Sequence, residues 1–485
     1  MRPNNESPGR GTGRRIPRRT RFAAVATAAV AAVLLAAGCS TSSTSSTSAP
    51  AVTSAAASTS APSTSSTSPA AAPTGTVPAS DIGITATTIK VGMIADVNNP
   101  LVPGLFKDSV NVVDTWAKEV NAAGGLDGHQ IVVDFCDGQL NPNATTSCVI
   151  KACQNDFALV GTSANALEDL SDIDGCKDAA GKAAGIANLA TFAFVPEVCD
   201  PDTYGVGGVG SYCATAKQSP STYEVPVGDT RYLVAHNPGL HGIWMYDTDD
   251  PTFKLTEEPL FQAESNIGIR KDGQGFYPLS GAVPQSALTP FIQQIKASGS
   301  TFVYDDTTTQ SMVLLRKEAQ LQGVNNQVKV WECNSGCYDP NFAQLGGATV
   351  NGTYASLNDL PYLTDYKVNP SLNKLITDLG GLSNINNNAV LTYTMALLFQ
   401  DAVNKVVASG QTLNRASLFT VLNNDETAFT ANGIIGATDI SHHTQSNCSV
   451  LVQLQNGTWN RVDPTAPGTF DCNAANTATI KMSVS

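Results

Sequence analysis

From Asp81 onward the chain alternates apolar runs of strand length with segments of helical period, and that alternation is the main constraint on its fold. Residues 89–95 (IKVGMIA) form the first run. Val110, Val113, Ala117, Val120 and Ala123 then recur at helical spacing, and Gly124-Gly125 supplies a stop. Asp127-Gly128 turns into a run at 130–135. Asn141-Pro142 joins a capping residue to a proline at the first helical position, opening a helix to about Gln154. Strands at 157–161 and 185–190 follow, with a helix between them. This β-α-β-α-β-α-β order predicts a parallel, doubly wound sheet.

A loop-rich stretch with many Pro, Gly and Cys runs from about Phe194 to Gly228. The alternation then restarts, with strands at 242–246, near 275–279, at 301–304 and at 327–331. Helices from Pro251, over 286–297 and over 309–322 lie between them. Two α/β units joined by an irregular segment imply two lobes. The helix predicted over 390–408 and the strands at 449–455 and 458–462 come later, so they must pack back onto lobes already built. A length of 485 residues suits one large two-lobed domain.

The first 38 residues read as an address. Arg14, Arg15, Arg18, Arg19 and Arg21 precede an apolar run from Phe22 to Ala37, which suits a signal peptide and falls short of the roughly 20 residues of a spanning helix. It ends in Leu35-Ala36-Ala37-Gly38-Cys39, which resembles the bacterial lipobox with Ala36 where Leu is usual. Cys39 is the expected lipidation site. Residues 40–80 hold no charged side chain and consist almost wholly of Ser, Thr, Ala, Pro and Gly. Such a tract buries too little apolar surface to order itself and is expected to be a tether. The expected location is the outer face of the cell membrane, held by the lipid anchor alone.

The formal net charge is −13, yet residues 1–38 hold seven Arg and one acid, leaving 21 bases against 40 acids in the rest. A surface so acidic disfavours nucleic acid. Ten cysteines follow Cys39, an even count that reads as disulfides in an exported chain. Local spacing pairs Cys199–Cys213, Cys333–Cys337 and Cys448–Cys472. For the other four, Cys136–Cys148 with Cys153–Cys176 is the favoured arrangement. No C-x-x-C and no His beside a Cys pair supports zinc.

At residues 120–128 (VNAAGGLDG) a pattern emerges. With IKVGMIA before it, IVVDFCDG, Asn141-Pro142-Asn143 and FALVG after it, and later STFVY, NGTY and VLVQLQNGTW, the chain resembles the leucine/isoleucine/valine-type (type I) periplasmic solute-binding proteins of ABC transporters. The resemblance covers everything after the tether. It implies two Rossmann-like α/β lobes with parallel sheets, joined by three hinge crossovers, and a small-molecule ligand in the cleft between them. The expected division is 1–38 signal peptide, 39–80 anchor and tether, 81–224 plus 356–432 N-terminal lobe, and 225–355 plus 433–485 C-terminal lobe. The implied partners are a small polar solute and ABC permease subunits, with no cofactor, no metal and no catalytic residue.

Open α/β sheets bind ligands beyond the carboxyl ends of their strands. Those ends are expected at 96–100, 162–165, 191–194, 247–250 and 305–308, and at Glu332 with Asn334. Together with the resemblance they nominate Asp96, Asn98, Asn165, Thr191, Phe192, Asp247, Asp305, Thr308 and Glu332 as ligand contacts. Asn165 falls where the family usually has Ser, and Phe192 where it has Ala. Thr308 and Glu332 align with the family's Tyr and, within one residue, its acid. Several of these also read as helix caps. Two further readings stay open: a ligand sensor of the same fold, and an anchored hydrolase using paired carboxylates such as Asp247 and Asp305. The G-x-G-x-x-G at 205–210 lacks a following helix, S-x-x-K at 371–374 lacks K-T-G, and His442-His443 reads as a solvated turn.

Overall fold

The run at 89–95 is a strand because both its faces are covered: Ile89, Val91, Met93 and Ala95 expose no surface. In the computed structural model, residues 80–483 are described apart from 100–101, 168, 194–196, 207–212 and 250–251. The leader, Cys39, the tether, Pro100, Phe194, Asp250, Pro251 and most of the G-x-G-x-x-G segment lie outside the described residues.

The first unit runs β1 (Thr88–Ala95), α1 (Lys107–Ala122), β2 (Gln130–Asp137), α2 (Pro142–Asn155), β3 (Ala158–Thr162), α3 (Ser171–Asp174), β4 (Asn188–Ala190) and β5 (Thr203–Gly205). Its strands are all parallel, in the order β2-β1-β3-β4-β5. Asn141 caps α2 as its sequence implies, accepting from the backbone N–H groups of Asn143 and Ala144. The helix expected between β3 and β4 is a single turn, because the segment is occupied by the Cys153–Cys176 disulfide and a tight bend at Lys177 to Ala183.

A connecting strand β6 (Ser221–Pro226) and a helix α4 (Gly228–His236), which has no expected counterpart in the sequence, lead into the second unit. That unit runs β7 (His241–Asp247), α5 (Thr252–Ile267), β8 (Arg270–Leu279), α6 (Thr289–Ser298), β9 (Phe302–Asp306), α7 (Thr309–Leu321), β10 (Val330–Cys333), α8 (Pro340–Gly346) and β11 (Thr353–Leu357). Its parallel strands lie in the order β8-β7-β9-β10-β11, so both lobes repeat one winding.

The chain then returns. A turn of helix α9 (Tyr362–Asp365) is fastened to the second unit, since Asp365 pairs with Arg461 and accepts from the N–H of Gly468. Helices α10 (Pro370–Asp378), α11 (Asn387–Ala408) and α12 (Arg415–Asn424) complete the first lobe. In α11, Val390, Met395, Phe399, Ala402 and Val406 are fully buried. Phe399 meets Trp116 edge-on at 6.1 Å and Phe157 at 6.2 Å, while the Trp116 indole donates to Gln400 at 3.0 Å. Burying each such side chain is worth about 1.5–3 kcal/mol. Arg415 is fully buried, and its guanidinium donates to the carbonyls of Cys153, Asp156, Phe157, Lys177 and Gly185. The last strands return to the second unit: β12 (Val450–Gln455) adds antiparallel to β11, β13 (Thr458–Asp463) adds to β12, and β14 (Thr477–Met482) pairs with β6.

The three passages between lobes meet at one place. The Asn358 amide donates to the carbonyl of Val206 at 3.1 Å, Asp359 forms a bridge with Ile435, and the Leu360 N–H donates to Ile434 at 2.8 Å. Among the described residues no helix is long and apolar enough to cross a membrane.

Candidate functional site

In the first lobe the strand ends are held together by two carboxylates. Asp96, fully buried, accepts from the N–H of Leu140 through Oδ1 and from the N–H of Asn165 through Oδ2, both at 2.8 Å. It thereby ties the loops after β2 and β3 to the end of β1. Gly138 is required beside it, since a Cβ there would lie 2.5 Å from Oδ1. Burial raises the Asp96 carboxyl, against the two backbone hydrogen bonds that favour its charge. Asp137 does the same for the β1 loop, accepting from the N–H groups of Val97 and Asn98 and from the Asn98 side chain at 2.5 Å. Asn98 is exposed and Asn165 half-buried, so both present surface at this rim.

Beneath them lies a chain of buried hydroxyls. Ser163 donates to Thr191 at 3.0 Å, Thr191 and Thr392 lie 2.9 Å apart, and Thr392 donates to Ser109 at 2.9 Å. The chain joins the β3 and β4 loops to α11 and α1. Thr191 exposes no surface, whereas the neighbouring Phe192 is half-buried, its ring 5.7 Å from that of Phe106.

The rim of the second lobe is laced by short polar side chains. Asp247 accepts from the N–H of Asp249 at 2.7 Å, and Asp249 accepts from the N–H of Gly281 at 3.1 Å. Thr308 donates to the Gly281 carbonyl and caps α7 by accepting from the Ser311 N–H, both at 3.1 Å. Thr309 donates to the Gly336 carbonyl, and Asn334 accepts from the Gly336 N–H while donating to Thr307. Four loops thus become one rim, closed at its end by the Cys333–Cys337 disulfide. Burial pushes the Asp247 carboxyl up to about 6 and that of Asp305 up to about 7. Asp305 exposes no surface, accepts from the Thr307 N–H and hydroxyl through Oδ1, and leaves Oδ2 without a hydrogen bond.

Glu332 sits one row deeper. It lies in register between Tyr304 and Tyr354, on the sheet face that carries α4 and α5, where Asp229 and Glu264 are its charged neighbours. The residue is 1% exposed, neither carboxylate oxygen has a hydrogen bond, and burial holds the carboxyl well above its ordinary range. Around it, Glu264 accepts from the Trp244 indole and from Thr230, and Glu257 and Asp306 share a hydrogen bond. Of the nine nominated residues, Asn98, Asn165, Phe192 and Thr308 therefore present surface at the rims. Asp96, Thr191, Asp305 and Glu332 lie beneath it, and Asp247 keeps 7% exposure.

All five disulfides follow the expected pairs, including Cys136–Cys148, Cys153–Cys176, Cys199–Cys213 and Cys448–Cys472. Two surface depressions, of about 360 and 240 Å³, lie beside Cys153–Cys176 and beside Gln400 and Lys405, away from both rims. Among the described residues no group of three or more His, Cys, Asp or Glu is arranged to hold a metal ion. The Lys374 of the S-x-x-K motif pairs with Glu119 and Asp378, and His443 stacks on Tyr204 at 5.6 Å.

The family model described as periplasmic binding protein matches residues 88–458, from β1 to the start of β13. The chain belongs to that family. Periplasmic binding proteins capture solutes and do not transform them, so the hydrolase reading of Asp247 and Asp305 falls away. Among solved structures, this member is similar to a branched-chain amino acid ABC transporter protein from Thermus thermophilus with bound valine: 13% identity, TM-score 0.62, covering 80% of this chain and 98% of that one. An ABC transporter substrate-binding protein from Aeropyrum pernix gives 16% identity and TM-score 0.61, covering 80% and 97%. A fatty acid ABC transporter substrate-binding protein from Thermomonospora curvata gives 15% and 0.59, again covering 80% and 97%. These likenesses establish the type I periplasmic binding protein fold. A comparison with curated protein sequences finds no match.

Sequence reasoning missed Asp137, the Ser109–Thr392 half of the hydroxyl chain, and Asn358 with Asp359 at the crossovers. Asp137 stands at a strand end and was open to the rule that found Asp96. The others come together only through contacts between segments distant in the chain and leave no local signal.

Proposed function

We propose that this chain captures a small polar solute, such as an amino acid, an amide or a related molecule, in a cleft between two lobes and delivers it to the permease subunits of an ABC importer. The lobes are residues 81–224 plus 356–432 and residues 225–355 plus 433–485, and a lipid on Cys39 holds the protein at the outer face of the cell membrane. The observation that carries the reading is the pair of rims at the carboxyl ends of two identically wound sheets, both built from short polar side chains. Asn98, Asn165, Phe192, Asp247 and Thr308 would meet the solute. Asp96, Thr191, Asp305 and Glu332 would hold those loops and strands from behind. Polar rims favour a solute like the valine of the Thermus thermophilus protein over a fatty acid.

Mass spectrometry of the solute released by mild denaturation, after gentle purification from the native envelope, tests this. One small polar molecule per chain supports the reading. A protein that carries none and binds none of a broad panel of amino acids and amides would overturn it. Cys39→Ser should release the protein from the membrane with its solute still bound.

A further inference from the structure

Asp359 occupies the point where the three crossovers meet, between Asn358 on Val206 and Leu360 on Ile434, and it is itself bridged to Ile435. Its side chain exposes no surface. Neither carboxylate oxygen makes a hydrogen bond of normal length and angle. The polar groups that act on it are the Asn387 side chain, in the first turn of α11, and its own backbone, and both favour its charged form. An ionised carboxylate in such a place is costly, and a protonated one much less so. Among the described residues, the partners of this stretch in the seam, Val206, Ile434 and Ile435, and its neighbour Leu360 are apolar.

We propose that Asp359 is a proton-operated latch on the hinge, neutral while it is buried at the meeting of the crossovers and ionised when rotation of the lobes admits water to it. The inference rests on the reading that the two lobes move about these crossovers. Burial raises the Asp359 carboxyl to about 8, with Asn387 opposing the effect. The other ionisable groups around it are the phenols of Tyr338 and Tyr362 and, beyond Tyr362, the carboxyls of Asp108 and Asp339. Both phenols are held above their ordinary range and stay uncharged here, and no cation among the described residues acts on Asp359. A group that holds its proton in one arrangement and loses it in the other makes their ratio depend on pH. Acid favours the arrangement seen here. Base favours the hydrated one, by up to about tenfold per pH unit between the ordinary carboxyl range and about 8.

The test is single-molecule fluorescence transfer on the unliganded protein, with dyes on unnatural amino acids at exposed positions 123 and 321, one on each lobe. Between pH 5.5 and 7.5 the two populations should exchange weight by more than tenfold in the native sequence and by less than twofold in Asp359→Asn. Asn387→Ala keeps the carboxyl and removes the side chain that favours its charge, so its response should move to higher pH. Equal pH responses in the native protein and Asp359→Asn would overturn the latch, as would two populations whose ratio ignores pH in both. A single population at every pH, in every variant, would overturn the lobe motion beneath it.

Discussion

The side-chain amide of Asn358 donates to the backbone carbonyl of Val206, 152 residues earlier in the chain, and fastens the first crossover to the second. Val206 is 3% exposed, so its carbonyl has no ready substitute partner in solvent. Asn358→Ala should therefore cost about 1–3 kcal/mol of stability, as expected when a buried acceptor loses its donor. Denaturant unfolding of the native protein and the variant measures this. Equal midpoints would mean that the seam is held without Asn358.

Arg415 is the firmest tie within the first lobe. Its guanidinium serves five carbonyls drawn from α2, the turn between α2 and β3, and the loop after Cys176, and its own N–H donates to Asp81 at 2.8 Å. Arg415→Met keeps much of the volume but strands those acceptors, at a cost of at least about 3 kcal/mol. Arg415→Lys should recover little, because one ammonium cannot span a set that a planar fork spans. A thermal melt of either variant within a degree of the native protein would contradict this.

Stability should fall as pH rises above the ordinary carboxyl range. Burial raises Glu264 and Asp359 to about 8, and Asp305 and Glu426 to about 7. Each group binds its proton more tightly folded than unfolded. Its contribution is complete below about pH 4 and is lost as pH rises through 7 to 8. Asp134, Asp137 and Asp378 are lowered instead, so their contribution is lost only on acidification below the ordinary range. Urea midpoints at pH 5 and pH 8.5 should therefore differ with the lower value at pH 8.5, and Glu264→Gln should flatten the difference. A higher midpoint at pH 8.5 would contradict the assignment.

Thiol titration of the denatured, unreduced protein should detect none of the ten cysteines after Cys39. Replacing Cys333 and Cys337 together by Ser should leave the sheet intact, since β10 is paired on both sides, yet loosen the rim through Gly336, to which Thr309 and Asn334 bond. Proteolysis between residues 333 and 339 would report that loosening. Resistance equal to the native protein would show that the side-chain lacing alone suffices.

Much of this architecture was legible in the sequence where the signal was local. The run IKVGMIA is apolar at successive positions because a strand covered on both faces has no solvated side, and Asn141-Pro142 is a cap because its side chain satisfies free N–H groups. Pairings between distant segments were not legible. Nothing near Ser221 announces a partner at Met482, and α4 begins at a Gly with no side-chain cap. At the site, the residue types at the strand ends were readable and their depth was not. Thr191 lies beside Phe192, which presents surface, yet contact with Thr392 places it out of solvent, and Glu332 is covered by the α4 and α5 layer.

On binding, the two lobes should close on an unaltered solute. Small-angle X-ray scattering during titration with the solute recovered from the protein tests it most directly. The radius of gyration should fall and saturate at one solute per chain, with the solute recovered intact. A radius unchanged at saturating solute, or a solute consumed during the titration, would contradict it.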